Sequence, residues 1–158
     1  MKKIILLFIT FLVAIPILAQ NEQKFSSDDL NGLKMEFASN ETKVYNREAK
    51  KHETDQVDVF YYWNHKYQYV DIYRNGVKIL NTVSSYYLSD TKDEFFDYSK
   101  VGKSSYGTYI ITAMYDEKEG SRRINTITEI VKLSEDEMII NTQGAKGKVC
   151  KILEREKK

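Results

Sequence analysis

The sequence predicts an all-β domain in which an antiparallel, up-and-down meander of eight to ten strands closes into a barrel. Three observations predict it. Residues 57–88 read VDVFYYWNHKYQYVDIYRNGVKILNTVSSYYL, crowding aromatic and β-branched side chains between turn signals, which is the composition of paired strands. Inside that stretch Asn75-Gly76 separates Val70-Asp71-Ile72-Tyr73 from Val77-Lys78-Ile79-Leu80. A two-residue Asn-Gly loop reaches φ > 0 at both central positions at little cost, so a β-hairpin is fixed there. Further strand-like runs follow at hairpin spacing, and no amphipathic helix longer than a turn or two interrupts them.

Residues 1–19 stand apart from this domain. Lys2 and Lys3 precede an apolar run over residues 4–18, broken only by Thr10 and Pro16, and Ile17-Leu18-Ala19 has the form of a cleavage site. That is the pattern of a secretory signal peptide, and the run is shorter than the roughly 20 apolar residues a spanning helix needs. No cysteine follows the cleavage point, so a lipoprotein anchor is not indicated. Residues 20–158 are then expected to form a single domain, soluble and exported to the periplasm or beyond. Removing Lys2 and Lys3 from 24 basic residues leaves 22 against 23 acidic ones, and so balanced a chain offers no field for nucleic acid or an anionic membrane. Cys150 is the lone cysteine, which excludes an intramolecular disulfide and suits a small buried apolar residue.

The elements follow in order. Ser26, Ser27, Asp28 and Asp29 precede Leu30 and suit the cap of one helical turn. Leu33, Met35 and Phe37 alternate with Lys34 and Glu36, giving a half-buried strand that starts after Gly32. A weaker strand covers residues 42–45, and the polar stretch 47–55 is expected as a loop or helical turn. Val57, Val59 and Tyr61 begin the next strand, Asn64-His65-Lys66 turns it, and residues 67–73 return towards Asn75-Gly76. Residues 77–88 exceed an average strand, which predicts a bulge or second turn at 81–85. Phe95 and Phe96, between two turn-rich stretches, are expected to tuck inward. Residues 107–115 and 124–133 form the next pair of strands around the charged loop 116–122, followed by strands at 138–142 and 148–154 around the turn 143–147.

With these elements in place, the chain resembles the small lipocalin-like barrel proteins that bacteria export. The resemblance rests on order: a leader, a capping turn, Leu30-Asn31-Gly32 opening the first strand, a meander, the hairpin through Ser134-Glu135-Asp136-Glu137, and a basic-ended last strand. In the family's usual Gly-x-Trp mark the third position is Trp, whereas Gly32-Leu33-Lys34 has Lys34 there. The resemblance implies a barrel enclosing a cavity for an apolar ligand.

Reactive constellations are scarce. His52 and His65 lie thirteen residues apart, without the i, i+4 spacing of a zinc site. Asp90, Asp93, Glu94 and Asp97 lack the alternating ligands and central glycine of a calcium loop, so no metal or other cofactor is expected. Gly144-Ala145-Lys146-Gly147-Lys148 lacks the phosphate-loop pattern, and Ser104 and Ser105 sit in no nucleophile elbow. A non-enzymatic domain is expected. What remains is the aromatic set, from which Trp63, Tyr61, Tyr69, Tyr73, Tyr87 and Tyr109 are the candidate ligand-binding residues. Facing inward, they would line a pocket for a small apolar or amphipathic molecule. Facing outward, they would make a platform for a glycan or an envelope protein.

Overall fold

Strict alternation over residues 33–37 becomes a strand whose burial alternates with it: Leu33, Met35 and Phe37 are buried, and Lys34 and Glu36 are half-buried on the other side. The same logic repeats around the molecule. The structure, a computed structural model, describes residues 24–37, 41–46, 48–114, 124–143 and 145–156. The leader expected at residues 1–19, the loop expected at 116–122 and Gly144 lie outside the described residues.

The described elements are β1 (Phe25–Ser26), α1 (Ser27–Leu30), β2 (Leu33–Phe37), β3 (Glu41–Asn46), β4 (Lys51–Gln56), β5 (Asp58–Trp63), β6 (Tyr67–Arg74), β7 (Val77–Ser89), a 3-10 turn (Tyr98–Lys100), β8 (Tyr106–Gly107), β9 (Tyr109–Met114), β10 (Thr126–Leu133), β11 (Glu137–Thr142) and β12 (Ala145–Arg155). Eight of these strands close a barrel in the order β2-β5-β6-β7-β9-β10-β11-β12, each antiparallel to its neighbours, with β12 pairing back onto β2. Closure leaves the barrel no unpaired edge. Register shifts between Ile72 and Tyr73, Ile130 and Lys132, Ile140 and Thr142, and Ile152 and Glu154 supply the local bends a small barrel needs. Outside the barrel, β3 and β4 form a separate hairpin and β1 pairs with β8.

One end of the barrel is capped by the N-terminal segment. Ser26 accepts a hydrogen bond from the Asp28 amide while Asp29 reaches back to the Ser26 amide, a capping box that contributes about 1 kcal/mol. Four helical residues cannot hold themselves together. Leu30, fully buried among the barrel residues, holds the turn in place, and Gly32 N donates to the Trp63 carbonyl at 2.8 Å. Ser105 completes the strap: its N–H donates to Ser27 Oγ, and its own Oγ accepts from the Leu88 amide, both at 3.0 Å.

A second, smaller core lies on the outer wall, where Tyr87, Phe96, Ile111 and Ala113 are buried beneath the segment joining β7 to β8. Phe96 fills this core, but Phe95 beside it is 60% exposed, contrary to the expectation that both tuck inward. The chain bends at Glu94 and Phe95, and of the two rings only Phe96 reaches the wall, against Tyr87. Two other expectations are corrected. Residues 51–56 are β4, because they pair with β3 in full register from Asn46–Lys51 to Glu41–Gln56. Strand β7 runs unbroken for 13 residues through 81–85, its irregularity lying instead near its start, opposite Ile72 and Tyr73. The Asn75-Gly76 turn is as expected, with φ of 52° and 74°.

Candidate functional site

Trp63 ends β5 beside the capped end of the barrel, and its register places it opposite Gln68 on β6, which is in turn opposite Ser84 on β7. Tyr61, two residues earlier on the same face, stacks on the indole at 5.6 Å with 15° between the rings. Its row continues through Val70 and Thr82 in one direction and through Met35 in the other. These rows bound a cavity of about 440 Å³ inside the barrel. It runs from Trp63, 1% exposed, to exposed residues Asn125, Thr126 and Gln143 at the opposite end.

The lining has two characters. Met35, Tyr61, Trp63, Val70, Met138 and Ile140 give apolar and aromatic surface, whereas Gln68, Thr82, Ser84, Thr126, Thr128 and Thr142 present hydroxyls and an amide. Among the described residues, none that lines the cavity is formally charged. Burial pushes the Tyr61 hydroxyl up to about 12, with the nearby Cys150 adding to the effect, so it is a neutral hydrogen-bonding group throughout the physiological range. The indole Nε1 of Trp63 is buried and finds no hydrogen-bond acceptor among the described residues. An unpaired buried N–H costs roughly 1–3 kcal/mol, and such groups are rare in native proteins.

Of the six aromatic candidates, Trp63 and Tyr61 are brought together on the cavity wall. The other four are not. Tyr69 pairs with Tyr62 on the outer face of β5 and β6, and its hydroxyl accepts from Asn64 Nδ2 at 3.3 Å. Tyr73 also faces outward, opposite exposed Asp58, with its ring against Phe60 at 5.7 Å and Lys78 Nζ 5.4 Å from its centroid. Tyr87 lies in the outer core against Phe96 at 5.0 Å, and its hydroxyl donates to Asp93 at 2.7 Å. Tyr109 borders a second cavity of about 650 Å³ on the outer wall and rim of β9, β10 and β11. Side-chain parity, not aromatic identity, decides membership in the interior. Trp63 and Gln68 share a face across the Asn64-His65-Lys66 turn, which puts Val70 and Ile72 inside and Tyr67, Tyr69 and Tyr73 outside.

That parity is also the signal that finds the residues missed by composition. Gln68, Thr82 and Ser84 follow from counting in twos through the Asn75-Gly76 hairpin, with one residue lost at the register shift. Thr126 and Thr128 on β10 follow less directly, because the loop that sets their register has no turn signature comparable to Asn-Gly. His52 lies on β4 and His65 in the turn before β6. The Asp93 carboxylate is occupied within its own segment, accepting from Tyr87, Ser89, Thr91 and Lys100. Among the described residues, no helix is long and apolar enough to cross a membrane. No family model, curated protein or solved structure matches the chain.

Proposed function

We propose that the protein is an exported, non-enzymatic binding protein that holds a small apolar or amphipathic molecule in its barrel. The cavity carries this reading. Its volume of about 440 Å³ lies within the roughly 300–1,000 Å³ of small-molecule sites, and its mixture of apolar walls with a few polar groups is typical of them. The leader-like residues 1–19 and the resemblance to exported lipocalin-like barrels support the same reading. Fold analogy alone would leave the function open. The uncharged lining, without a paired acid and base, favours binding over chemistry.

Trp63 is the single tryptophan and reports on the site directly. Titration with medium-chain alcohols, amides and esters should shift or quench its emission and raise the thermal midpoint, because a ligand that binds only the native state must stabilise it. Val70→Phe, which places a ring in the cavity, should abolish the response and keep the β-sheet circular dichroism. A second reading is favoured by the outer ladder of Phe60, Tyr62, Tyr69 and Tyr73, half-buried or exposed on adjacent strands: a platform for a glycan or an envelope protein. If amphiphiles leave emission and midpoint unchanged while oligosaccharides raise the midpoint, the platform replaces the pocket.

A further inference from the structure

We infer that the groove crossing the outer wall of β9, β10 and β11 is a second binding site, separate from the barrel interior, and that it takes a neutral saccharide.

One cross-strand row builds it. Tyr109 on β9 is opposite Glu129 on β10, and Glu129 is opposite Asn141 on β11, so a ring, a carboxylate and an amide stand side by side on one face. All three border the outer cavity of about 650 Å³, a volume within the range of small-molecule sites. The carboxylate is aimed by the fold itself. Gly147 N donates to Asn141 Oδ1 at 2.8 Å, and Asn141 Nδ2 in turn donates to the half-buried Glu129 at 3.0 Å. Ile127, the neighbouring outward residue on β10, adds an apolar patch that packs on the outer core as Tyr109 does. Lys92 and Lys146 bring ammonium groups from the two flanks, the β7–β8 connection and the start of β12.

Each of these groups asks for a different partner, and a saccharide meets them all. A hydroxyl donates once and accepts twice, so two neighbouring ring hydroxyls can give a hydrogen to Glu129 and take one from a flanking lysine in a single placement. Hydrogen bonds to such charged groups are the stronger kind. The C–H face of a pyranose ring then lies on Tyr109, whose ring face is electron-rich. Lys92 Nζ already stands 5.5 Å from the Tyr109 centroid, so that ring can be reached by a group from outside its own strand. A surface contact of this kind is weak enough to yield to a ligand. The two signs of charge in one groove decide the ligand's own charge: an anion meets Glu129, a cation meets the lysines, and each like-charge contact costs affinity.

The test titrates the ¹⁵N-labelled protein with three neutral trisaccharides (maltotriose, cellotriose and tri-N-acetylchitotriose), with trigalacturonate and with the glucosamine trimer. At least one neutral probe should bind with a Kd of about 1 mM or tighter. It should move the side-chain amide cross-peaks of Asn141 and Gln143 and leave the Trp63 indole peak in place. Both charged trimers should bind at least fivefold more weakly. Tyr109→Ala should weaken the neutral sugar roughly tenfold, whereas Tyr109→Phe, which keeps the ring, should change it little. Glu129→Gln still accepts from Asn141 but has lost its charge, and should weaken the neutral sugar roughly fivefold while improving trigalacturonate. That change of preference is one that a loosened fold would not produce, so it decides the matter even if Tyr109→Ala does not fold. Val70→Phe, which fills the barrel interior, should leave sugar binding unchanged, and the groove thus stands or falls apart from the pocket. The inference is overturned if no neutral trimer moves those cross-peaks at about twenty times the expected Kd, or if a charged trimer binds more tightly than the neutral ones. It is also overturned if Tyr69→Ala removes the binding and Glu129→Gln does not, which would assign the sugar to the ladder of Phe60, Tyr62, Tyr69 and Tyr73.

Discussion

Two glycines separate the two ways in which a missing side chain matters. Gly76 has φ of 74° and open space where a Cβ would stand, so Gly76→Val tests the backbone alone and should cost about 1–2 kcal/mol. Gly107 carries no such torsion, but its Cβ would overlap the Ser89 backbone, which cannot give way like a flexible side chain. Gly107→Ala should therefore cost more, about 3 kcal/mol, despite adding only a methyl group. Urea midpoints of the two variants would check the order, and an unmoved midpoint for Gly107→Ala would mean that the strap through β8 is not needed. Cys150 gives a prediction of another kind. It is fully buried opposite Met138 and Phe37, and burial pushes its thiol up to about 11, partly offset by Lys148. The native protein should resist a thiolate-directed reagent at pH 8 and react fully once unfolded. Rapid native labelling would contradict the packing. Cys150 as an apolar core residue and the torsions at Asn75-Gly76 were legible in the sequence because each depends on chemistry local to one or two residues. The split of the tyrosines was not: rings cover the outer wall as well as the inner one, so aromatic identity carries no information about side.

At the scale of elements, the connection from β7 to β8 is held by one carboxylate. Burial would raise Asp93, but hydrogen bonds from Tyr87, Ser89, Thr91 and Lys100 outweigh it and hold the carboxyl down to about 2. Because the folded value lies below the unfolded one near 3.9, the stabilisation is fully present above about pH 5 and is lost as the pH falls through 2. The contribution at neutral pH is about 2 kcal/mol. Asp93→Asn should lower stability by that order at pH 7 and flatten the loss of stability between pH 4 and 2, as read by denaturant unfolding across that range. An unchanged acid limb would assign the sensitivity to other carboxylates. This segment also explains why composition described it poorly. Its Ser, Thr and Asp residues signal turns correctly, but the hydrogen bonds they make join positions 87, 89, 93 and 100, and only the folded wall brings Tyr87 to Asp93. The β3–β4 hairpin differs for a related reason: residues 51–56 are all polar and show no apolar alternation, and pairing with β3 makes them a strand.

Across the whole molecule, the meander was legible because neighbouring strands in the barrel are neighbours in the chain, so a list of hairpins is nearly a topology. The cavity was less legible. Whether eight strands enclose space depends on how far opposite side chains reach, and the Thr and Ser positions that keep the interior open look like solvent-facing residues in sequence. The seam is the exception to local pairing. Lys34 on β2 and Glu154 on β12 form an ion pair at 3.2 Å across a separation of 120 residues. Such a contact comes late, because the loop-closure entropy of a long chain must be met before the contact returns anything. A chain made from its N-terminus therefore carries two sticky borders through most of its synthesis, β2 and whichever barrel strand was made last, with β11 the last of these. The eleven residues of β12 are the clasp that removes both at once, and until they emerge there is a curled ribbon and no vessel.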